Sequence, residues 1–134
     1  MIWSKNYETG NGLVDSEHQQ IFKLVQKVID ATLDSGDSIE ATIDFLANYT
    51  ATHFKHEEEL MIESSYPDMP IHKKQHDDFV VEVMALRERV LQENDNTKNN
   101  IDIKKVIVNW LTDHVLGSDK VMAAFYRNWS TQNK

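Results

Sequence analysis

Apolar residues along the 134-residue chain recur at helical spacing, three and four apart, and four separate stripes can be traced. The first runs Val14, His18, Ile21, Phe22, Val25, Val28, Ile29. Ser16 with Gln19 three residues on is a capping box for it, and the spacing predicts a helix to about Leu33. Ahead of it Trp3, Tyr7, Leu13 and Val14 stand among Gly10, Asn11 and Gly12, which predicts an irregular arm laying its aromatics on the body. Asp34-Ser35-Gly36 interrupts the pattern, and Asp37 with Glu40 opens a second helix to about Ser64, striped by Ile43, Leu46, Thr50, His53, Glu57 and Leu60. Ser64 to Pro70 reads as a turn, with Pro70 placed near a helix start. The third helix carries His72, His76, Phe79, Val83 and Leu86 or Val90 on one face and ends near Glu93. A polar connection from Asn94 to Asn100 leads to a fourth stripe of Ile103, Val106, Ile107, Trp110, Leu111 and His114, followed by a short C-terminal helical segment. Four amphipathic helices on short connections predict an all-α, up-down-up-down antiparallel four-helix bundle occupying residues 1–134 as one domain.

The stripes are not purely apolar. His53 and Glu57, four apart, share the inward face of the second helix, and a lone buried carboxylate is costly unless it is paired or binds a metal. Topology supplies the partners. His18 lies early in the first helix, His53 and Glu57 late in the second, His72 and His76 early in the third, and His114 late in the fourth. In an alternating bundle those ends meet at one end of the molecule, which scattered core histidines have no reason to do. Asp119 completes the inward set only if the helix distorts, because five residues on a straight α-helix leave it about 140° from His114. Gly117 and Ser118 are the expected place for that distortion. Five imidazoles and two carboxylates exceed what one small ion takes, so two ions are implied. With both carboxylates bridging, five nitrogens divide unevenly, most simply as three and two.

Composition narrows the alternatives. The absence of cysteine excludes disulfides and thiolate sites and fits a reducing compartment. A net charge of -8 without a basic run argues against nucleic acid. No apolar run is long enough for a signal peptide or a membrane span, so a cytoplasmic protein is expected, and it is taken to be a monomer. His56 sits about 60° from the face of His53 and reads as a surface residue. Glu58 and Glu59 read as solvated charges, and Asp15 as a cap for the first helix or, less simply, a group orienting a ligand imidazole.

His-Phe-x-x-Glu-Glu at 53 to 58 followed by Leu60-Met61, His-x-x-x-His at 72 to 76, Trp-Leu-x-x-His at 110 to 114, and the spacing from His114 to Asp119 closely resemble the hemerythrins of the bacterial single-domain type. Gly12-Leu13-Val14-Asp15 ahead of His18 matches the opening motif of that family, and the resemblance covers nearly the whole chain. It implies a non-haem di-iron centre with an oxo or hydroxo bridge. In that centre His72, His76 and His114 ligate a filled iron, His18 and His53 an open one, and Glu57 and Asp119 bridge. The implied function is reversible dioxygen binding for storage, delivery or sensing, and not enzymatic turnover. The alternatives are a di-iron enzyme reducing peroxide or nitric oxide, or iron handling. Carboxylate-rich di-iron enzymes place Glu on all four helices with Glu-x-x-His motifs, which the first and third helices here do not provide.

Overall fold

The computed structural model describes residues 2–33, 38–93 and 95–133. After a 3-10 turn at Lys5–Tyr7, three long α-helices follow: α1 (Gly12–Ala31), α2 (Ile39–Ser64) and α3 (Met69–Gln92). The last quarter of the chain is one rod made of α4 (Asn96–Ile103), α5 (Asn109–His114) and α6 (Lys120–Gln132), joined by π-helical turns at Lys104–Val108 and Val115–Asp119. The backbone stays in the right-handed helical region through both joints. The expected short C-terminal segment is therefore the direct continuation of the fourth helix. The architecture is the expected all-helical four-helix bundle, with α1 packed on α2, α2 on α3, and the α4–α5–α6 rod closing against them.

Helix boundaries follow local capping chemistry. The first helix begins four residues before the expected Ser16 box, because Asn11 turns extended and its side chain accepts the N–H of Val14 at 3.1 Å. Asp15 does not orient a ligand: its carboxylate accepts from the N–H and hydroxyl of Thr9 and from the N–H of Gly10, tying down the arm. Gly10, at φ +88°, lies so close to the Arg127 guanidinium that a Cβ would collide with it, and Arg127 Nη1 donates to the Thr9 carbonyl. The arm is thus pinned to both α1 and α6. For α2 the expected Asp37 cap lies outside the described residues, and Ser38 caps the helix by accepting from Ala41 N–H. Ser65 ends it in the left-handed conformation (φ 55°), with Tyr66 N–H closing back on the Met61 carbonyl. The connection expected over 94–100 is shorter than its polarity suggested, because Asp95 accepts from Thr97 and Lys98 N–H and starts α4 at once.

The inward faces form two apolar clusters. The larger spans the bundle with Val25, Val28, Leu46, Phe79, Leu86 and Ile107 among its members. The smaller gathers Val14, Met61, Tyr66 and Met122. The buried histidines and the Glu57 and Asp119 carboxylates fall between these two sets: His18 between Val14 and Ile21, Glu57 between Phe54 and Met61, His114 and Asp119 between Leu111 and Met122. A polar layer therefore crosses the bundle between two greasy ones. No helix among the described residues is long and apolar enough to cross a membrane.

Adjacent positions on α2 separate core from surface. Leu46 is fully buried and Phe45 is 71% exposed. Leu46→Ala should cost about 2–5 kcal/mol of unfolding free energy and Phe45→Ala less than about 0.5 kcal/mol, as read by urea denaturation.

Candidate metal centre

All seven residues singled out by the sequence meet in that polar layer, and each is at most 6% exposed. Helix phase brings six of them inward directly. His53 and Glu57 are one turn apart on α2, as are His72 and His76 on α3. Asp119 arrives differently. The π-helical turn at Val115–Asp119 widens the circuit beyond that of an α-helix, so the i, i+5 pair His114 and Asp119 comes to one face, 2.9 Å apart at Nε2 and Oδ1. The expected distortion is present at the expected place, but the helix runs on through it without breaking.

Each carboxylate divides its two oxygens between two groups of imidazoles. Glu57 Oε1 lies 3.0 Å from His76 Nε2 and 3.5 Å from His72 Nε2, while Asp119 Oδ1 lies 3.0 Å from His72 Nε2 and 2.9 Å from His114 Nε2. On the other side Glu57 Oε2 lies 3.2 Å from His53 Nε2 and 3.5 Å from His18 Nε2, and Asp119 Oδ2 lies 2.9 Å from His18 Nε2. Two donor sets result, one with three imidazoles and one with two, sharing the carboxylates. Every one of these Nε2 and carboxylate oxygen atoms is buried without a hydrogen-bond partner. The spacings are instead those of neighbouring donors around a common ion, since ligands at about 2.1 Å in perpendicular directions stand about 3.0 Å apart. The all-nitrogen-and-oxygen set suits divalent iron, zinc or manganese.

The outer nitrogens explain why the inner ones face the centre. His53 Nδ1 pairs with Glu17 Oε1 at 3.0 Å and His76 Nδ1 with Glu58 Oε2 at 3.0 Å. A carboxylate at Nδ1 holds the proton there and leaves the Nε2 lone pair aimed inward. Glu58 is therefore not the solvated charge its exposed-looking position suggested. Glu17 escaped the sequence reading altogether, because it sits about 100° from His18 and belongs to no stripe. The one available signal was a carboxylate beside a candidate ligand. His56 is outside the donor sets, as expected, yet it also pairs with Glu17, at 2.7 Å. Aromatic rings wall the three-imidazole set. Phe54 stacks on His76 at 3.8 Å between centroids, and Trp110 on His114 at 4.3 Å.

Without a cation the layer is a set of buried ion pairs. Burial opposes charge on His53, but the Glu57 and Glu17 carboxylates outweigh it and raise the imidazole to about 10. Burial likewise opposes charge on His72, where Asp119 and Glu57 prevail and raise it to about 9. Burial pushes the Glu57 and Asp119 carboxyls up, yet the surrounding imidazoles hold both below their usual range.

A helical bundle that gathers buried imidazoles around two shared carboxylates is the class of protein this fold and site define. Residues 9–126 match the family model described as the Hemerythrin HHE cation binding domain, and the chain belongs to the hemerythrin family. It is 27% identical over 124 residues to a bacteriohemerythrin of Stenotrophomonas maltophilia, covering 92% of this chain and 79% of that protein. It is 31% identical over 117 residues to a myohemerythrin of Theromyzon tessulatum, covering 87% and 86%. A hemerythrin-like protein of Naegleria gruberi matches at 29% over 117 residues, with the same coverage.

Deleting Ser118 removes the extra residue of the π turn and leaves the aspartate four residues after His114, on the same face. Inserting an alanine after Gly117 swings it about 100° away. Cation retention through gel filtration should survive the deletion and fail in the insertion. For the metal-free protein, groups with depressed pKa stabilise the fold above their ordinary value, 4.5 for Glu57, and lose that contribution as pH falls toward the folded value. Groups with raised pKa stabilise it below their ordinary value, 6.5 for His53 and His72, and lose that contribution as pH rises through about 9 and 10. Thermal melts of metal-free protein should therefore peak between pH 4.5 and 6.5 and decline on both sides.

Proposed function

We propose that the chain holds two iron ions and binds dioxygen reversibly. His72, His76 and His114 would ligate one iron, His18 and His53 the other, and Glu57 and Asp119 would bridge them. The observation that carries the reading is the unequal division of donors: five protein atoms converge on one side of the shared carboxylates and four on the other. A bridging solvent oxygen would complete six ligands on the first ion and leave one exchangeable position on the second. When bound, the iron pair supplies the electrons that make dioxygen binding favourable.

What this chain's own residues contribute is containment. Two carboxylates within the donor sets offset much of the charge of two divalent ions, which a low-dielectric layer otherwise resists. Apolar clusters on either side of the layer keep bulk water away from it. Among the described residues the buried titratable groups are the seven donors, Glu17 and Tyr66; Glu17 is turned outward onto Nδ1 of His53 and of His56, and Tyr66 packs on Phe125 in the smaller apolar cluster. Glu17 is engaged by two imidazoles and Tyr66 sits in the smaller apolar cluster, an arrangement that favours binding and release over reductive cleavage.

Purified protein loaded with ferrous iron without air should contain two irons per chain. Its visible spectrum should cycle repeatedly between two forms as dioxygen is admitted and removed. Sustained consumption of dioxygen, peroxide or nitric oxide under excess reductant, with no stable oxygenated spectrum, would replace carriage with an enzymatic role. Iron that exchanges freely with a weak chelator would point to iron handling.

A further inference from the structure

Glu17 and His18 are neighbours on α1, and successive helical residues point about 100° apart, so they cannot serve the centre in the same way. His18 points at Glu57 and Asp119. Glu17 reaches sideways across the α1–α2 interface and divides its oxygens, Oε1 at 3.0 Å from His53 Nδ1 and Oε2 at 2.7 Å from His56 Nδ1. His53 and His56 are one turn apart on α2, so a single carboxylate from α1 grips two rings of the facing helix.

We propose that Glu17 is the positioning residue of the two-imidazole half of the centre. Anchored by His56 at one oxygen, it fixes His53 with the other and so sets how tightly the second cation is held, without touching that cation. The inference rests on the dinuclear reading above. The two halves are braced unequally. In the three-imidazole half, His76 leans on Glu58. In the two-imidazole half, the Nδ1 of His18 is buried with no partner among the described residues, so Glu17 is the one carboxylate brace on that side. That half also supplies one protein donor fewer, and losing the orientation of one of only two imidazoles removes a larger share of its binding. His56 holds the arrangement from outside. Half-exposed, it occupies the oxygen of Glu17 that would otherwise turn to water.

Zinc(II) is redox-inert and accepts imidazole and carboxylate donors, so it tests the assignment apart from any oxygen chemistry. It is titrated calorimetrically into metal-free full-length protein, with side-chain nitrogen NMR reporting which imidazoles become ligated. The wild type should take two equivalents. Glu17→Leu should keep the first on His72, His76 and His114 at wild-type affinity and weaken the second by about 10- to 100-fold, the usual effect of losing an outer-shell partner. Glu17→Gln retains an acceptor without the charge and should fall between the two. His56→Ala should weaken the second equivalent by a smaller factor, and Glu58→Leu should weaken the first instead. Wild-type binding of both equivalents in Glu17→Leu overturns the assignment, as does an equal loss of both. A wild-type chain that takes only one equivalent overturns the dinuclear reading and the assignment with it.

Discussion

Five imidazole nitrogens and four carboxylate oxygens stand in the middle of this bundle with no hydrogen-bond partner among them. Leaving one buried polar atom unsatisfied costs about 1–3 kcal/mol, and more when it is charged. A fold that gathers this many at one level, between two apolar clusters, has its energetics decided by whatever occupies their common focus. Cations at the two donor sets would answer these unsatisfied atoms, using lone pairs that have no hydrogen-bond partner among the described residues. Their binding free energy would then become part of the folding free energy of the bundle.

The rest of the architecture serves that layer. Alternating helix direction brings the early parts of α1 and α3 and the later part of α2 to the level of the middle of the fourth helix, where His114 and Asp119 lie. The π turn at Val115–Asp119 adds one residue to the circuit, so that Asp119 meets His72, His114 and His18 without interrupting the rod. The same rod carries Met122 onward into the smaller apolar cluster and Arg127 to the carbonyl of Thr9. The distortion is local: α-helix resumes at Lys120 and goes on packing against α2.

Outside the donors lies a second layer of carboxylates whose work is orientation. Glu58 follows the donor Glu57, and Glu17 precedes the donor His18. In both pairs the two adjacent residues point in different directions, one into the centre and one around it onto an imidazole from a neighbouring helix. Sequence neighbours thus act on the site from opposite sides. The aromatic stacking of Phe54 on His76 and Trp110 on His114 immobilises two rings that the carboxylates do not fully fix.

Helix number, topology and the seven converging side chains could be read from the sequence because each depends on periodicity, and a period of 3.6 residues assigns residues to faces without reference to any partner. The need for a distortion near Gly117 was legible for the same reason, as an arithmetic misfit between five residues and one turn. Periodicity says nothing about residues on the flank of a helix, whose surroundings are set by the neighbour they happen to meet. Glu17, Glu58 and His56 belong to that class, and only the packing of α1 on α2 and of α2 on α3 set Glu17 against His53 and His56 and Glu58 against His76. Helix starts were misplaced by a few residues where the caps Asn11 and Asp95 competed with other plausible ones, since the choice among short polar side chains depends on how the incoming chain is held. Which oxygen of each carboxylate faces which imidazole was likewise decided by tertiary structure alone, because it depends on the separation and rotation of four helices that the chain specifies only when they pack together.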